Sequence, residues 1–400
     1  MGLMNEYIKK GQEGMSANDL EKELLELIKK YNELTGSFLF VYSGAIGKMI
    51  PNVAISMDDY FIIFDMLKNA PGKKLGVYLE TPGGSGEAAE EIVRFFRSKF
   101  LNVSFIISGE AKSAGTIMTL SADEIFMTES GSLGPIDAQI PIGRSQISAY
   151  DYMEWVNEKR NEADKTGKLN PFDATMVAQI SPGELNGVNN VLSFAKDLVI
   201  EWLPKYKFKD WKVTETRRLP VTKEMKEKRA KEIVERLINH TKWRSHGRSI
   251  KINDLKDLLR INKVDDNKEL ADVVYRIQAV LRMLFSSTNT YKIYATAEEK
   301  IFARAVSPND IKRPGPISPQ QAEVVELEVK CQQCGELHRI YAKLVDNPKI
   351  DEDMQKKGEK PFPANGKLIC KCGFEMDLTG IRNDIETQTG KKITINEEAR

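Results

Sequence analysis

The chain has 400 residues, of which 41% are hydrophobic and 29% are charged. This composition is typical of a globular protein with more than one domain, and it excludes intrinsic disorder for most of the chain. Lys and Arg number 59 and Asp and Glu 58, so the net charge gives no reason to expect a nucleic acid or a membrane as partner. Only the range 205–248 is strongly basic, with 15 Lys or Arg against 6 Asp or Glu. This stretch is either the solvated face of helices or a docking surface for an acidic partner.

The location of the protein is indicated by two patterns. No stretch reaches the ~18 uninterrupted apolar residues of a membrane helix, and the first residues lack the apolar core of a secretory signal. All 4 cysteines lie beyond residue 330, in two close pairs. In a reducing compartment such pairs favour metal binding over disulfides. We therefore expect a cytoplasmic protein that makes no membrane contact.

The first part of the chain predicts a helix followed by an α/β core. The range 1–36 contains an amphipathic helix behind Ser16, which we expect to be a packing or oligomer-contact element. Short apolar strands and helices then alternate up to about residue 134, and this alternation predicts parallel strands covered on both faces. The predicted strands are 38–44, 74–81, 102–109 and 124–128, and the predicted helices begin at Ser56 and cover 87–100 and 113–122.

The second part of the chain is mostly helical and then changes character. Helices are predicted after residue 148, near 185–203, over 223–238 and over 271–285. The proline-dense range 307–322 predicts a linker. We therefore expect a core with a helical extension at 37–306, a cysteine-containing domain at 323–382 and a polar tail at 383–400.

Two strand-to-helix turns are candidates for chemistry. The turn TPGGSG at 81–86 holds glycines that bring backbone N–H groups close to a ligand at a helix N-terminus. The second turn, SGEAKSAGT at 108–116, places Ser113 between small residues at the start of a short helix. Ser113 is either an exposed nucleophile or a helix N-cap, and the first turn is either an anion-binding loop or a plain tight turn.

Together these turns resemble the ClpP and crotonase superfamily, in which a Pro-Gly-Gly turn faces a serine at the end of the next strand. The downstream stretch LSADEIFMTESGSLGPIDAQ at 120–139 is similar to the serine dehydrogenase proteinase family, a ClpP-related group that is also related to signal-peptide peptidases. The resemblance covers roughly residues 37–300. It implies an α/β, ClpP/crotonase-like core of repeated strand–helix units, and a homo-oligomer.

The resemblance also implies a serine peptidase that cleaves peptides or unfolded protein segments through an acyl-enzyme. Ser113 would be the nucleophile. The oxyanion hole would be formed by backbone amides, those of Gly83, Gly84 and Ala114. No Walker-type phosphate loop occurs, so any ATP-driven unfolding would come from a separate partner.

Ser113 needs a base, and the chain has 3 histidines. His338 lies among the cysteines, which leaves His240 and His246. ClpP carries its histidine where this chain has Asp137, so a simple ClpP triad is excluded. The related family has the order Ser, Asp, His, and the segment TKWRSHGRSI resembles its histidine motif. This resemblance implies that Asp137 orients His246, the general base, although Asp137 also suits a turn and His246 an exposed loop.

Other readings of the same residues stay open. A Ser–Lys dyad, as in signal-peptide peptidases, would use one of Lys159, Lys165 and Lys168. A catalytically silent oligomeric scaffold would bind a partner through the basic stretch and the cysteine-containing domain. Acyl-CoA chemistry of the crotonase kind is disfavoured, because a serine at the turn is the protease arrangement.

The cysteine pairs predict a small C-terminal zinc ribbon. Cys331 and Cys334 have the C-x-x-C-G spacing of a zinc knuckle, whereas Cys370 and Cys372 are one residue closer together. His338 is an alternative ligand. Four thiolates leave zinc no open position, so we expect a structural ion whose domain binds a protein or nucleic acid partner.

Overall fold

The computed structural model describes residues 2–48, 50–136, 138–142, 145–214, 217–245, 247–305, 323–331 and 333–394. The chain divides into two compact units, Met1–Ala305 and Val306–Arg400. Asp137, His246 and the predicted linker 307–322 lie outside the described residues.

The first unit is an α/β fold, which confirms the predicted fold class. Its strands are β1 (Phe38–Gly44), β2 (Lys74–Glu80), β3 (Asn102–Ile107), β4 (Glu110–Ala111), β5 (Glu124–Met127), β6 (Ser132–Leu133), β7 (Gln139–Ile142), β8 (Ser145–Ser148), β9 (Asn262–Lys263), β10 (Thr290–Ala295) and β11 (Lys300–Arg304). Its helices are α1 (Leu3–Gln12), α2 (Ala17–Thr35), α3 (Met57–Leu67), α4 (Gly86–Lys99), α5 (Ala114–Leu120), α6 (Ala149–Thr166), α7 (Pro171–Val177), α8 (Pro182–Lys205), α9 (Lys223–Ile238), α10 (His240–Trp243), α11 (Ile252–Leu255) and α12 (Lys268–Ser287).

The central sheet has the strand order β11-β10-β1-β2-β3-β5-β9. The strands from β1 to β9 in this order pair in parallel. The sequence pattern predicts this for β1, β2, β3 and β5, whereas β9 is not predicted. β10 and β11 are antiparallel additions at one edge, which the sequence pattern does not predict. Successive side chains of a strand point to opposite faces, so Phe40 and Val77 lie in one apolar core and Leu39 and Tyr78 in the other.

Each face of the sheet is covered by its own set of helices. The core that contains Phe40 also takes in side chains from α3, α4, α5, α8 and α9. The core that contains Leu39 takes in α2 and α12, and buries Leu24 and Ile28 from the predicted N-terminal helix. The range 1–36 thus forms two helices rather than one, and α2 is a packing element of the first unit.

The second unit is a small structure of short strands and two helices. These are β12 (Val324–Lys330), β13 (Leu337–Lys343), α13 (Pro348–Lys356), β14 (Lys360–Pro361), β15 (Lys367–Ile369), β16 (Glu375–Asp377) and α14 (Thr379–Thr389). β12, β13 and β14 form one sheet and β15 and β16 form a hairpin. α14 continues past residue 382, and Ile385 and Ile393, from the range expected to be a tail, are buried in the core of this unit.

A helix that crosses a lipid bilayer has to be both long and apolar. Across the described ranges, no helix is both long enough and apolar enough to span one.

Candidate active site

Ser113 lies between β4 and α5 in a backbone conformation that non-glycine residues rarely adopt. Its φ is 49° and its ψ is −114°. Such a conformation costs of order 1–3 kcal/mol and persists only where the surrounding structure enforces it. The Ser113 hydroxyl makes no capping hydrogen bond to α5. Helix capping therefore does not explain this serine, whereas a strained turn that projects the side chain does.

Gly83, in the turn after β2, faces Ser113 directly. Its φ is 104°, and a Cβ built on it would lie 2.8 Å from the Cβ of Ser113 and 3.0 Å from the carbonyl oxygen of Lys112. Real Cβ atoms do not approach other atoms so closely, so the turn reaches the serine only because residue 83 is glycine. The two turns singled out in the sequence are thus in contact.

The backbone amides around Ser113 differ in what they bind. The Gly83 N–H donates to Thr81 Oγ1 at 3.2 Å. The amides of Gly84 and Ala114 donate to no oxygen of a described residue. Ala114 is the first residue of α5, where backbone N–H groups have no partner within the helix. Gly84 and Ala114 therefore offer two amides that can bind a developing oxyanion.

Lys112 is buried, and its amine hydrogen-bonds to groups other than Ser113. Its Nζ donates to Ser249 Oγ at 3.0 Å and Ser132 Oγ at 3.4 Å. It also donates to the carbonyls of Leu133 and Arg248, both at 3.3 Å. Burial lowers the pKa of this amine below its usual value. Lys112 thus joins the serine turn to two segments that are distant in sequence.

The neighbours of Asp137 and His246 converge beside this turn, although the two residues themselves lie outside the described ranges. Leu133 and Ile250 exchange backbone hydrogen bonds of 3.0 and 2.9 Å. The Ile136 N–H donates to the Leu237 carbonyl at 3.1 Å. The segment that leads into Asp137 is therefore held against the segment that follows His246.

The lysines of the dyad alternative have other surroundings. Lys159 forms ion pairs with Asp173 at 2.9 Å and with Glu162 at 3.1 Å. Hydrogen bonds to these carboxylates, mainly to Asp173, raise the pKa of Lys159, which keeps it protonated at neutral pH. Lys165 and Lys168 are exposed. A general base must be unprotonated, and the ion pairs of Lys159 favour its protonated form.

The four cysteines of the second unit come together in a compact cluster. Their sulfur atoms all lie within 4.8 Å of one another, with Cys331 to Cys372 at 3.7 Å and Cys334 to Cys370 at 3.5 Å. Zinc with bonds of about 2.3 Å to four sulfurs in a tetrahedron holds them about 3.8 Å apart. The donor set thus fits a metal ion, and the shorter C-x-C spacing does not prevent the four sulfur atoms from coming together.

His338 lies at the edge of this cluster. Glu336, His338 and Cys370 offer ligand atoms within 4.8 Å of one another. His338 is buried, and its Nε2 has no hydrogen-bond partner among the described residues. This residue is therefore available to a metal at the cluster, as its position in the sequence suggests.

Comparison with known proteins identifies the domain that carries the serine. Residues 49–198 match the family described as ClpP-like SDH-type serine proteinase. This part of the chain is similar to that family. The matched range includes both turns of the candidate site, with Ser113 and Gly83.

Two curated relatives and one solved structure are each similar to a part of the chain. An uncharacterized protein of Methanocaldococcus jannaschii is 32% identical over 146 residues, which are 36% of this chain and 47% of that protein. A second uncharacterized protein of the same organism is 35% identical over 66 residues, or 16% of this chain and 23% of that protein. The chain thus spans half or less of the length of these relatives. A mutant of the 1510-N membrane-bound stomatin-specific protease is 18% identical, covers 35% of this chain and 79% of its own, and has a TM-score of 0.22.

The contacts of Lys112 with other segments are not predicted from the sequence. A charged residue between Ala111 and Ser113, at the start of an apolar helix, is the local signal that was available. Its partner Ser249 is 137 residues away, so the contact itself has no signature in the sequence.

Proposed function

We propose that this protein is a serine peptidase that uses Ser113 as its nucleophile. The Ser113 oxygen attacks the peptide carbonyl, a base takes the hydroxyl proton and passes it to the leaving amine, and the C–N bond breaks to give an acyl-enzyme. Water then hydrolyses the ester. The observation that carries this proposal is the strained turn of Ser113 against Gly83, with a hydroxyl that does not cap α5.

The oxyanion formed in each step would be bound by the amides of Gly84 and Ala114. Both amides are free of acceptors in the described residues; Ala114 directly follows Ser113, and Gly84 directly follows Gly83, which faces the serine. Gly83, expected as a third donor, has its N–H bound to Thr81, so its contribution is to allow the close approach of the turn.

The base is proposed to be His246, oriented by Asp137. This rests on the family order of the triad and on the contacts of neighbouring residues, since Lys112 binds Arg248 and Ser249 next to the serine. His246→Ala and Asp137→Asn should each lower kcat by orders of magnitude, because triad members act as a unit. Loss of activity only in a lysine variant would instead establish a Ser–Lys dyad.

The first experiment is intact-mass spectrometry after treatment with a fluorophosphonate probe, which labels activated serines covalently. The wild type should gain one adduct, and Ser113→Ala should gain none. The control is Ser98→Ala, which removes an exposed hydroxyl from α4 whose hydrogen bond within the described part of the chain is to the Phe95 carbonyl. No adduct on the wild type would contradict the peptidase and favour the silent scaffold.

The second unit is proposed to hold one structural zinc ion through Cys331, Cys334, Cys370 and Cys372. The sulfur spacings match a tetrahedral site, and four protein ligands leave no position for a substrate. Zinc would hold the two turns together without entering the reaction. This unit is the proposed recognition module for a protein or nucleic acid partner.

The substrate is proposed to be a peptide or an unfolded protein segment, because the chain has no Walker-type loop for a motor of its own. A homo-oligomer is proposed from the exposed apolar side chains of α3. Phe61 is 61% exposed, and Met57 and Phe64 share the exposed surface of that helix. The four free cysteines suit a reducing compartment, so the proposed location is the cytoplasm.

A further inference from the structure

A fully buried ion pair lies between α3 and β10, apart from Ser113. Asp59 is 1% exposed and Lys292 is 2% exposed, and the Lys292 Nζ lies 2.8 and 2.9 Å from the two carboxylate oxygens. Tyr42 donates its hydroxyl to Asp59 at 2.8 Å, and Tyr294 donates to the other oxygen. Buried ion pairs are poor stabilisers, because removing two charges from water costs about as much as their attraction returns. Stability alone therefore gives little reason for this pair.

The ion pair holds the backbone on both sides of Ile55. Lys292 Nζ donates to the carbonyl of Ala54 at 2.9 Å. The Asp59 carboxylate accepts the backbone N–H of Ser56 at 2.7 Å. The two charged groups thus fix the residue before Ile55 and the residue after it.

Ile55 in turn fixes the glycine turn that faces the serine. Its N–H donates to the Gly83 carbonyl at 2.8 Å, and its carbonyl accepts the Ser85 N–H at 2.9 Å. A Cβ built on Gly84 would lie 2.4 Å from both the nitrogen and the oxygen of Ile55. The backbone of Ile55 is thus packed against Gly84 without a gap, and a shift of Ile55 must move the Gly84 amide.

We propose that the Asp59–Lys292 pair positions the oxyanion-binding amide of Gly84 through the backbone of Ile55. The inference rests on the peptidase proposed above and adds two positioning residues to it. Neither residue touches substrate. They act on the reaction because a donor that is misplaced by about 1 Å loses most of its transition-state stabilisation.

The test variant is Lys292→Met together with Asp59→Asn. The double change leaves no unpaired charge in the interior, so the fold is retained, as is common when a whole buried pair is replaced. It removes the lysine contact with the Ala54 carbonyl and weakens the hold on Ser56. The matched control is Tyr42→Phe, which removes one hydrogen bond from the same carboxylate but no contact with residues 54–56.

The readouts separate positioning from folding. In the double variant, the inhibition constant of a peptide boronic acid, which becomes tetrahedral on the serine, should rise about 100-fold, and kcat should fall about as much. KM for a cleaved fluorogenic peptide should change less than about threefold, because ground-state contacts are kept. Amide hydrogen exchange at Ile55 and Ser85 should increase. Tyr42→Phe should leave all of these values near those of the wild type.

Two outcomes overturn the inference. One is a folded double variant with wild-type kcat, boronate affinity and amide exchange. The other is an equal loss of kcat in Tyr42→Phe, since that would reflect general loosening of the core. Failure of the peptidase proposal is recognised separately, because the wild type itself would then neither cleave peptides nor bind the boronate.

Discussion

Gly83 and Ser113 are the residues at which the two turns meet. A substitution that adds one methyl group at Gly83 tests whether this contact matters for catalysis. Gly83→Ala should lower kcat/KM by about 100-fold, because its Cβ would lie 2.8 Å from the Ser113 Cβ and must displace the turn. The measurement is peptide hydrolysis, with thermal unfolding recorded in parallel.

The control for this change is Gly72→Ala. Gly72 has a similar positive φ of 85°, but nothing lies within 4 Å of the position of its Cβ. It therefore introduces the same backbone strain without a collision. Equal rates in the two variants would show that contact with Ser113 has no catalytic importance.

Lys207 gives a prediction about pH. Among the described residues its amine hydrogen-bonds only to the backbone carbonyl of Asp123, at 3.4 Å, and burial lowers its pKa from 10.5 to about 8. Between these two values the unfolded chain holds a proton that the folded chain has released. The free energy of unfolding should therefore rise as pH increases from about 8 toward 10.5.

Lys207→Gln should flatten this rise in urea unfolding curves recorded across the same pH range. The exposed Lys205 provides the control, since Lys205→Gln should keep the slope of the wild type. A wild-type slope in Lys207→Gln would show that this amine titrates alike in the folded and unfolded chains.

At the scale of elements, α2 is expected to contribute strongly to the stability of the first unit. Ile28→Ala should lower the free energy of unfolding by about 2–5 kcal/mol, because its side chain is fully buried beside α12. Urea unfolding measures this change. Glu26→Ala on the exposed face of the same helix should have an effect within about 0.5 kcal/mol. Similar values for both variants would contradict the packing of α2.

The elements that the sequence predicts well are those with a strong local pattern. The apolar run FLFVYSG predicts the bounds of β1, and the periodicity over 223–238 predicts those of α9. β10 and β11 are missed because their sequences, TYKIYA and KIFAR, mix lysines with apolar residues. Lys292 looks like a surface residue in the sequence, and only its pairing with Asp59 explains why it is buried.

The candidate site, like the secondary structure, is predictable from the sequence only where it has a local pattern. The residue types of the two turns indicate Ser113 and its facing glycines, because small residues and a serine at strand ends leave a pattern. The long-range contacts that support the site leave no such pattern in the sequence. Asp59 and Lys292 are 233 residues apart, and only the completed sheet brings them together.

At the scale of the whole molecule, the two units should respond separately to metal removal. All four cysteines belong to the second unit, so chelation or Cys331→Ser should release about one zinc ion per chain and increase hydrogen exchange in 323–394. Elemental analysis and exchange mass spectrometry measure this.

Fluorophosphonate labelling of Ser113 should continue after the zinc is removed, because the first unit contains no cysteine. Labelling of the untreated protein is the control. Purified protein without metal would contradict the zinc site, and loss of labelling on chelation would contradict the independence of the two units.

The backbone of Ser113 has a consequence for how this protein can evolve. A domain is stable by only about 5–15 kcal/mol, and the left-handed turn at Ser113 consumes of order 1–3 kcal/mol of that margin. Glycine would adopt the same turn without strain but would supply no hydroxyl. Selection for thermal robustness alone would therefore favour glycine at this position, and a catalytic serine here would represent a trade-off between stability and activity.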